Sequence, residues 1–203
     1  MKLILASTSP RRRKLIKLLG LPYENISPKD VEEYLDSSDI SKLLEDLKEL
    51  SKKKALSVSK DYKEDIVIGA DTIVVHDNTL LEKPYSEDEA IYYLKRLSGK
   101  THNVYTGVTL IKNDDISSFI ETTYVTFRKI PEEIIKLYVK TGLPLDKAGA
   151  YGIQDFGALF VEEIAGDFYN VMGFPVGKIW EYLLKWGVTF DEKANWSAKG
   201  EVF

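Results

Sequence analysis

Residues Asp65 to His76 read Asp-Ile-Val-Ile-Gly-Ala-Asp-Thr-Ile-Val-Val-His. Two β-branched runs, Ile66-Val67-Ile68 and Ile73-Val74-Val75, flank Gly69, Ala70, Asp71 and Thr72. Continuous apolar runs of this kind predict a strand buried on both faces, and with it an α/β fold. A carboxylate inside such a strand is expensive unless a cation, a metal or several hydrogen-bond donors pair with it. Gly69, two positions earlier, removes a side chain and lets a backbone or a ligand come close. Two readings stand side by side: Asp71 is the floor of a catalytic cleft, or it ends a strand and caps a turn.

The 203 residues suit one domain over 1–203, or two lobes sharing one sheet. A chain of this size buries about 70% of its unfolded surface, so its core needs no covalent staple. A hydrophobic fraction of 44% and a charged fraction of 30% are ordinary for a soluble globular protein. The absence of cysteine excludes disulfides, thiolate zinc sites and a cysteine nucleophile, and it fits a reducing compartment. A net charge of −4 argues against a dedicated nucleic-acid binder. The apolar run Leu3 to Ala6 is too short for a signal peptide, and no stretch approaches the roughly 20 apolar residues that span a bilayer. A cytoplasmic protein without a membrane partner is expected.

Leu3-Ile4-Leu5-Ala6 reads as a first buried strand, followed by Ser7-Thr8-Ser9-Pro10. Ser9 is a good helix N-cap and Pro10 suits the first helical position, while Gly20 is placed to end the helix. Arg11, Arg12 and Arg13 then occupy the first turn, where the helix dipole disfavours cations. A bound polyanion would account for them: free backbone N–H groups, the hydroxyls of Ser7 and Ser9 and the guanidinium forks together make a phosphate cradle. A solvated basic turn, or a nucleic-acid patch, is the plainer alternative.

A strand over Tyr23 to Ile26 leads into an acidic loop with Glu32, Glu33, Asp36 and Asp39. The spacing of Leu43, Leu44, Leu47, Leu50 and Ala55 predicts a helix from Ser41 to about Ser59. Its lysines, Lys52 to Lys54, complement the dipole at a helix C-terminus, which is a sufficient structural reason for them. A turn at Asp77-Asn78 follows the central strand, and Ser86 with Glu89 reads as a capping box opening a helix to about Leu97. Asn103 to Ile111 and Ser118 to Phe127 should be paired strands. A helix is expected over Glu132 to Lys140, a loop over Leu145 to Gly157, a short strand at Leu159-Phe160-Val161, a turn at Gly166-Asp167 and a closing helix over Val176 to Trp186. The tail from about Thr189 has no clear period.

Neither His76 nor His102 has a histidine or cysteine at metal-ligand spacing, so both read as packed or surface residues. No nucleophile elbow, Walker-type loop or dinucleotide fingerprint is present. The remaining inventory is a phosphate-type helix start, a buried acid, an acidic loop, isolated lysines and a Gly-rich loop carrying Gln154. It suits metal-assisted phosphoryl chemistry.

Five short motifs occur in order: Ser7-Thr8-Ser9-Pro10-Arg11-Arg12, Gly69-Ala70-Asp71-Thr72, Glu82-Lys83-Pro84, Leu97-Ser98-Gly99-Lys100-Thr101-His102 and Asp146-Lys147-Ala148-Gly149-Ala150-Tyr151-Gly152-Ile153-Gln154. From Leu3 to about Leu184 the chain closely resembles the Maf family of nucleoside triphosphate pyrophosphatases. The resemblance implies a Maf/inosine-triphosphatase-like fold, an elongated mixed sheet in two α/β lobes with a central cleft. It also implies hydrolysis of a nucleoside triphosphate to monophosphate and pyrophosphate with a divalent cation, Mg²⁺ first and Mn²⁺ or Co²⁺ as substitutes. Asp71 corresponds to the family's proton acceptor. Ser7, Arg11 and Arg12 match its first motif, and Lys54 and Lys83 match its phosphate-handling lysines, with Lys53 a rival to Lys54. Glu33 aligns with a metal-holding acid alongside Asp71, with Glu32 as the rival. Arg11, Thr72 and Gln154 match the dTTP/UTP branch, where an amide can pair with the edge of uracil or thymine. The alternatives are a purine or 7-methyl-GTP house-cleaning pyrophosphatase, whose branch carries Trp, Gln and Glu at those positions, and a nucleotide-binding cell-division regulator. A homodimer is a further expectation of the resemblance.

Overall fold

The computed structural model describes residues 1–32, 35–37 and 39–190. Glu33 therefore lies outside the described residues, as does the tail beyond Phe190. The strands are β1 (Leu3–Ala6), β2 (Tyr23–Ile26), β3 (Ile66–His76), β4 (Thr79–Leu81), β5 (Thr101–Lys112), β6 (Asp115–Phe127) and β7 (Val161–Ala165). The helices are α1 (Pro10–Leu15), α2 (Ile40–Ser59), α3 (Glu87–Leu97), α4 (Glu132–Lys140), α5 (Phe168–Val171) and α6 (Val176–Lys185).

The strands form one seven-stranded mixed sheet in the order β2-β1-β3-β5-β6-β7, with β4 paired to β3. β1 runs parallel to both β2 and β3, which accounts for its four fully buried residues. β4 and β7 are antiparallel to β3 and β6. By packing, the chain divides into two compact units. The first comprises Met1–Asp71, Thr106–Glu121 and Gly173 onward; the second comprises Thr72–Tyr105 and Thr122–Met172. The division falls between the acid and the hydroxyl of the Ala-Asp-Thr motif.

In the first unit, α2 lies against the sheet with almost no clearance, and two glycines make this possible. A methyl group on Gly69 would fall 2.3 Å from the Ser51 carbonyl oxygen and 2.6 Å from the Ala55 nitrogen; one on Gly107 would fall 2.7 Å from the Leu47 carbonyl oxygen. These clashes are with backbone, so any larger residue would push the helix away. The close approach seals Ile4, Ala6, Ala55, Val58, Val67 and Ile111 into one core cluster. It also lets Ser51 hydrogen-bond Thr109 at 2.8 Å, and Thr109 in turn meets Ser118 at 2.8 Å. Phe119 on β6 stacks flat on Tyr182 of α6, with centroids 4.7 Å apart.

In the second unit α3 packs on α4. His102, Phe127 and Tyr151 form an edge-to-face aromatic triangle, with centroids between 4.7 and 5.3 Å apart. His102 is buried and its Nε2 pairs with the Tyr151 hydroxyl at 2.8 Å, so both histidines are packed residues.

Four local expectations are revised. The first helix is α-helical only to Leu15; Ile16–Leu19 tighten into a 3₁₀ turn before Gly20 ends it at φ 68°. The Asp39 carboxylate accepts from the Ser41 and Lys42 amides and so starts α2 at Ile40. Leu159 and Phe160 belong to a 3₁₀ turn, Phe156–Phe160, because Asp155 caps it through the Gly157 amide; the strand begins only at Val161. Asp167 does more than turn the chain: it caps the short α5 through the amides of Tyr169 and Asn170.

Candidate active site

β3 is buried along its whole length except at Asp71 and Thr72, which are half-buried. The acid therefore emerges where the strand's cover is interrupted. The close seat of α2 on Gly69 fixes what meets it. Ser51 and Ala55 face the glycine, and Lys54, beside Ala55, sends its Nζ to Asp71 Oδ1 at 2.8 Å. Lys54 is buried, 8% exposed, whereas Lys53 is exposed, so the helix register selects Lys54 from the lysine run. Asp71 Oδ2 makes no bond to any described residue. One oxygen of the carboxylate is held and the other is open.

Lys54 also lines a cavity of about 290 Å³ together with Ser7, Thr8, Arg12, Pro28, Asp30 and Val31. That volume sits at the lower end of small-molecule pockets, roughly 300 Å³ and upward, and suits a phosphate chain better than a whole nucleotide. The lining carries two hydroxyls, a guanidinium, an ammonium and one carboxylate. Such a set favours a polyanion with room for a hard cation.

The turn after β1 builds one wall. Ser7 Oγ accepts from the Ser9 amide at 3.1 Å and from Arg12 Nη1 at 3.5 Å, and Ser9 Oγ accepts from the Arg12 amide at 3.4 Å. Arg12 is 8% exposed, and its Nε donates to the Gly173 carbonyl at 2.8 Å. With α1 only six residues long and its cap in use, the anion-binding capacity rests on side chains more than on the helix start.

Arg11 is half-buried on α1 and is not among the described residues lining the cavity. Thr72, Lys83 and Gln154 belong to the second unit. Lys83 is exposed, and its neighbour Glu82 accepts from the Gly149 amide at 3.2 Å, tying that segment to the Gly-rich loop. Thr8, Asp30 and the Gly173 carbonyl were not singled out in the sequence. Thr8 lies within the first motif, and Asp30 announces itself only by its left-handed backbone, φ 52°. Glu32 is exposed and makes no hydrogen bond or ion pair with a described residue.

Among the described residues no group of three or more His, Cys, Asp or Glu side chains could hold a metal. Mg²⁺ does not require one: it is commonly held by one or two carboxylates, waters and substrate phosphates. A lone carboxylate such as Asp71 fits that mode. No helix among the described residues is long and apolar enough to cross a membrane.

A seven-stranded mixed sheet carrying this lysine–carboxylate pair beside a cationic, hydroxyl-lined cavity is the architecture of a phosphate-handling α/β protein. The family description "Maf-like protein" matches residues 2–186, and the chain belongs to the Maf family. It is 49% identical over 183 residues to a Thermosipho melanesiensis protein named dTTP/UTP pyrophosphatase, covering 90% of this chain and 97% of that protein. A Thermotoga maritima protein of the same name is 50% identical over 189 residues, covering 92% and 90%. Among solved structures, the Staphylococcus aureus Ham1 protein shares the fold at a TM-score of 0.50 and 13% identity, over 91% of this chain and 99% of that one.

Proposed function

We propose that the chain is a nucleoside triphosphate pyrophosphatase that hydrolyses dTTP and UTP to the monophosphate and pyrophosphate. The naming of the relatives at about half identity supports the substrate class. The observation that carries the chemistry is the Lys54–Asp71 pair, 2.8 Å apart, with Lys54 also lining the cationic cavity.

The phosphate chain is gripped by the hydroxyls of Ser7 and Thr8 and by the charges of Arg12 and Lys54. Lys54 holds Oδ1 and fixes the plane of the carboxylate. Asp71 Oδ2 is then free to orient a water molecule and take its proton as the water attacks phosphorus. Asp71 and Glu33 would hold a divalent cation, which would supply neutralisation of charge that develops in the transition state. Lys83 is assigned to phosphate charge as well. Arg11, Thr72 and Gln154 are assigned to the choice of base, the Gln154 amide supplying a donor and an acceptor that match the pyrimidine edge. A cytoplasmic homodimer is part of the same reading.

The test is release of pyrophosphate from a panel of triphosphates, with Mg²⁺ and with chelator. Preference for dTTP and UTP supports the assignment. Preference for 7-methyl-GTP would overturn the reading of Gln154.

A further inference from the structure

The loop that carries Gln154 converges on a single α-carbon. A methyl group added to Gly152 would lie 2.4 Å from Asp155 Oδ2, 2.6 Å from Lys147 Cε and 2.8 Å from Gln154 Nε2. Three side chains thus share the space that a Cβ would occupy. Gly157, too, packs against Gly152, its own missing methyl only 2.5 Å from the Gly152 carbonyl oxygen.

Two of the three side chains are held by hydrogen bonds. Asp155 Oδ1 accepts from the Tyr138 hydroxyl at 2.8 Å and from the Gly157 amide at 3.0 Å, while Oδ2 lies 3.5 Å from Lys147 Nζ. Lys147, 7% exposed, also donates to the Leu143 carbonyl and to Asp146 Oδ1. Tyr138 closes the circuit, because its oxygen accepts from the Gly152 amide at 3.1 Å while its hydrogen goes to Asp155. Burial above all pushes the phenol well above its ordinary range, so it remains a donor at any working pH. The third side chain is different: the Gln154 amide makes no hydrogen bond to any described residue. Its neighbours are bonded among themselves, and the half-buried amide shares the Gly152 site with them, its donor and acceptor unspent among the described residues.

We propose that Tyr138, Asp155 and Lys147, seated on Gly152, are positioning residues that hold the Gln154 amide in the orientation that reads the substrate's base. This deepens the pyrimidine-reading role given to Gln154 and rests on it. The physical reason is preorganisation. An amide on a flexible stem loses rotamer freedom when it binds, whereas one already confined loses less, and the difference appears as selectivity.

The experiment compares kcat and KM for dTTP and for ATP across wild type, Tyr138→Phe, Gln154→Ala and the double variant. Tyr138→Phe keeps the ring and its edge-to-face contact with Phe160 at 5.1 Å, so packing is retained. Asp155→Asn, which keeps the acceptor and drops the charge, serves as the second variant. Expected results are a rise in KM for dTTP of about tenfold in Tyr138→Phe, the scale of one well-placed hydrogen bond, with kcat for ATP unchanged. Gln154→Ala lowers the dTTP-to-ATP ratio, and the double variant loses no more than Gln154→Ala alone. Equal losses on both nucleotides in Tyr138→Phe, or additive losses in the double variant, would overturn the positioning role and leave base reading by Gln154 intact. A Gln154→Ala variant with the wild-type ratio would overturn both.

Discussion

Lys54 Nζ and Asp71 Oδ1 stand 2.8 Å apart, with 10% and 20% of their side chains exposed. The pair joins a helix to the centre of the sheet, and among the described residues only Oδ1 of the carboxylate is bonded. Asp71→Asn preserves the hydrogen bond from Lys54 but removes the proton acceptor. Turnover is expected to fall by at least about 10²-fold, the scale of a lost general base, while the circular-dichroism spectrum stays that of the wild type. Wild-type turnover in this variant would remove Asp71 from the chemistry.

Gly69 tests whether the pair depends on the fit of helix to sheet. A methyl there meets two backbone atoms of α2, at 2.3 and 2.6 Å, and neither can rotate away. Gly69→Ala should cost about 1–3 kcal/mol of stability, the usual penalty for overpacking, and should carry Lys54 out of register with Asp71. Urea unfolding and pyrophosphate release are the two measurements. A variant that is as stable and as active as wild type would show that the helix seat does not matter.

His102 predicts an acid-sensitive second unit. Burial, with a smaller contribution from the charge of His76, pushes its pKa down to about 3, while the unfolded chain keeps about 6.5. Because the folded value is the lower one, the contribution is full above about pH 6.5 and is lost as the pH falls towards 3, where the unfolded chain binds a proton that the folded one refuses. By pH 5 the loss is about 2 kcal/mol. His102→Gln, which cannot be protonated, should show a shallower fall in unfolding free energy between pH 7 and pH 5. Identical slopes for the two proteins would refute the assignment.

Chelation addresses the cation. With excess EDTA, release of pyrophosphate is expected to stop, and added Mg²⁺ should restore it, since a hard cation held by one or two carboxylates and the substrate phosphates would neutralise negative charge on the phosphate chain. Full activity in chelator would confine the mechanism to Lys54, Arg12 and Lys83.

Local chemistry was readable from the sequence wherever cause and effect lie a few residues apart. Ser9 and Pro10 open α1, and Ser86 opens α3 through the Glu89 amide, although Glu89 returns its carboxylate to the Tyr85 amide and not to Ser86. Asp71 stood out because a polar residue interrupts an apolar run, and the structure opens the strand at that point. Which of Lys53 and Lys54 meets Asp71 was not readable, because it is decided by the rotation of α2 against the glycines of two neighbouring strands, β3 and β5. Leu159 and Phe160 looked like strand because apolar runs carry no sign of a cap supplied by Asp155. The partners of Gly152 were equally hidden, since nothing in a sequence announces that three side chains will fill one missing methyl.

Arg12 lines the cavity and, through Nε, fastens Gly173, 161 positions along the chain. The residue is thus a rivet as well as a grip. Any replacement loosens the start of the closing segment at the same moment that it weakens hold on an anion, so an inactive Arg12 variant reports two failures superimposed. Lysine, a single charged point without a fork, can restore one of these tasks but never both together.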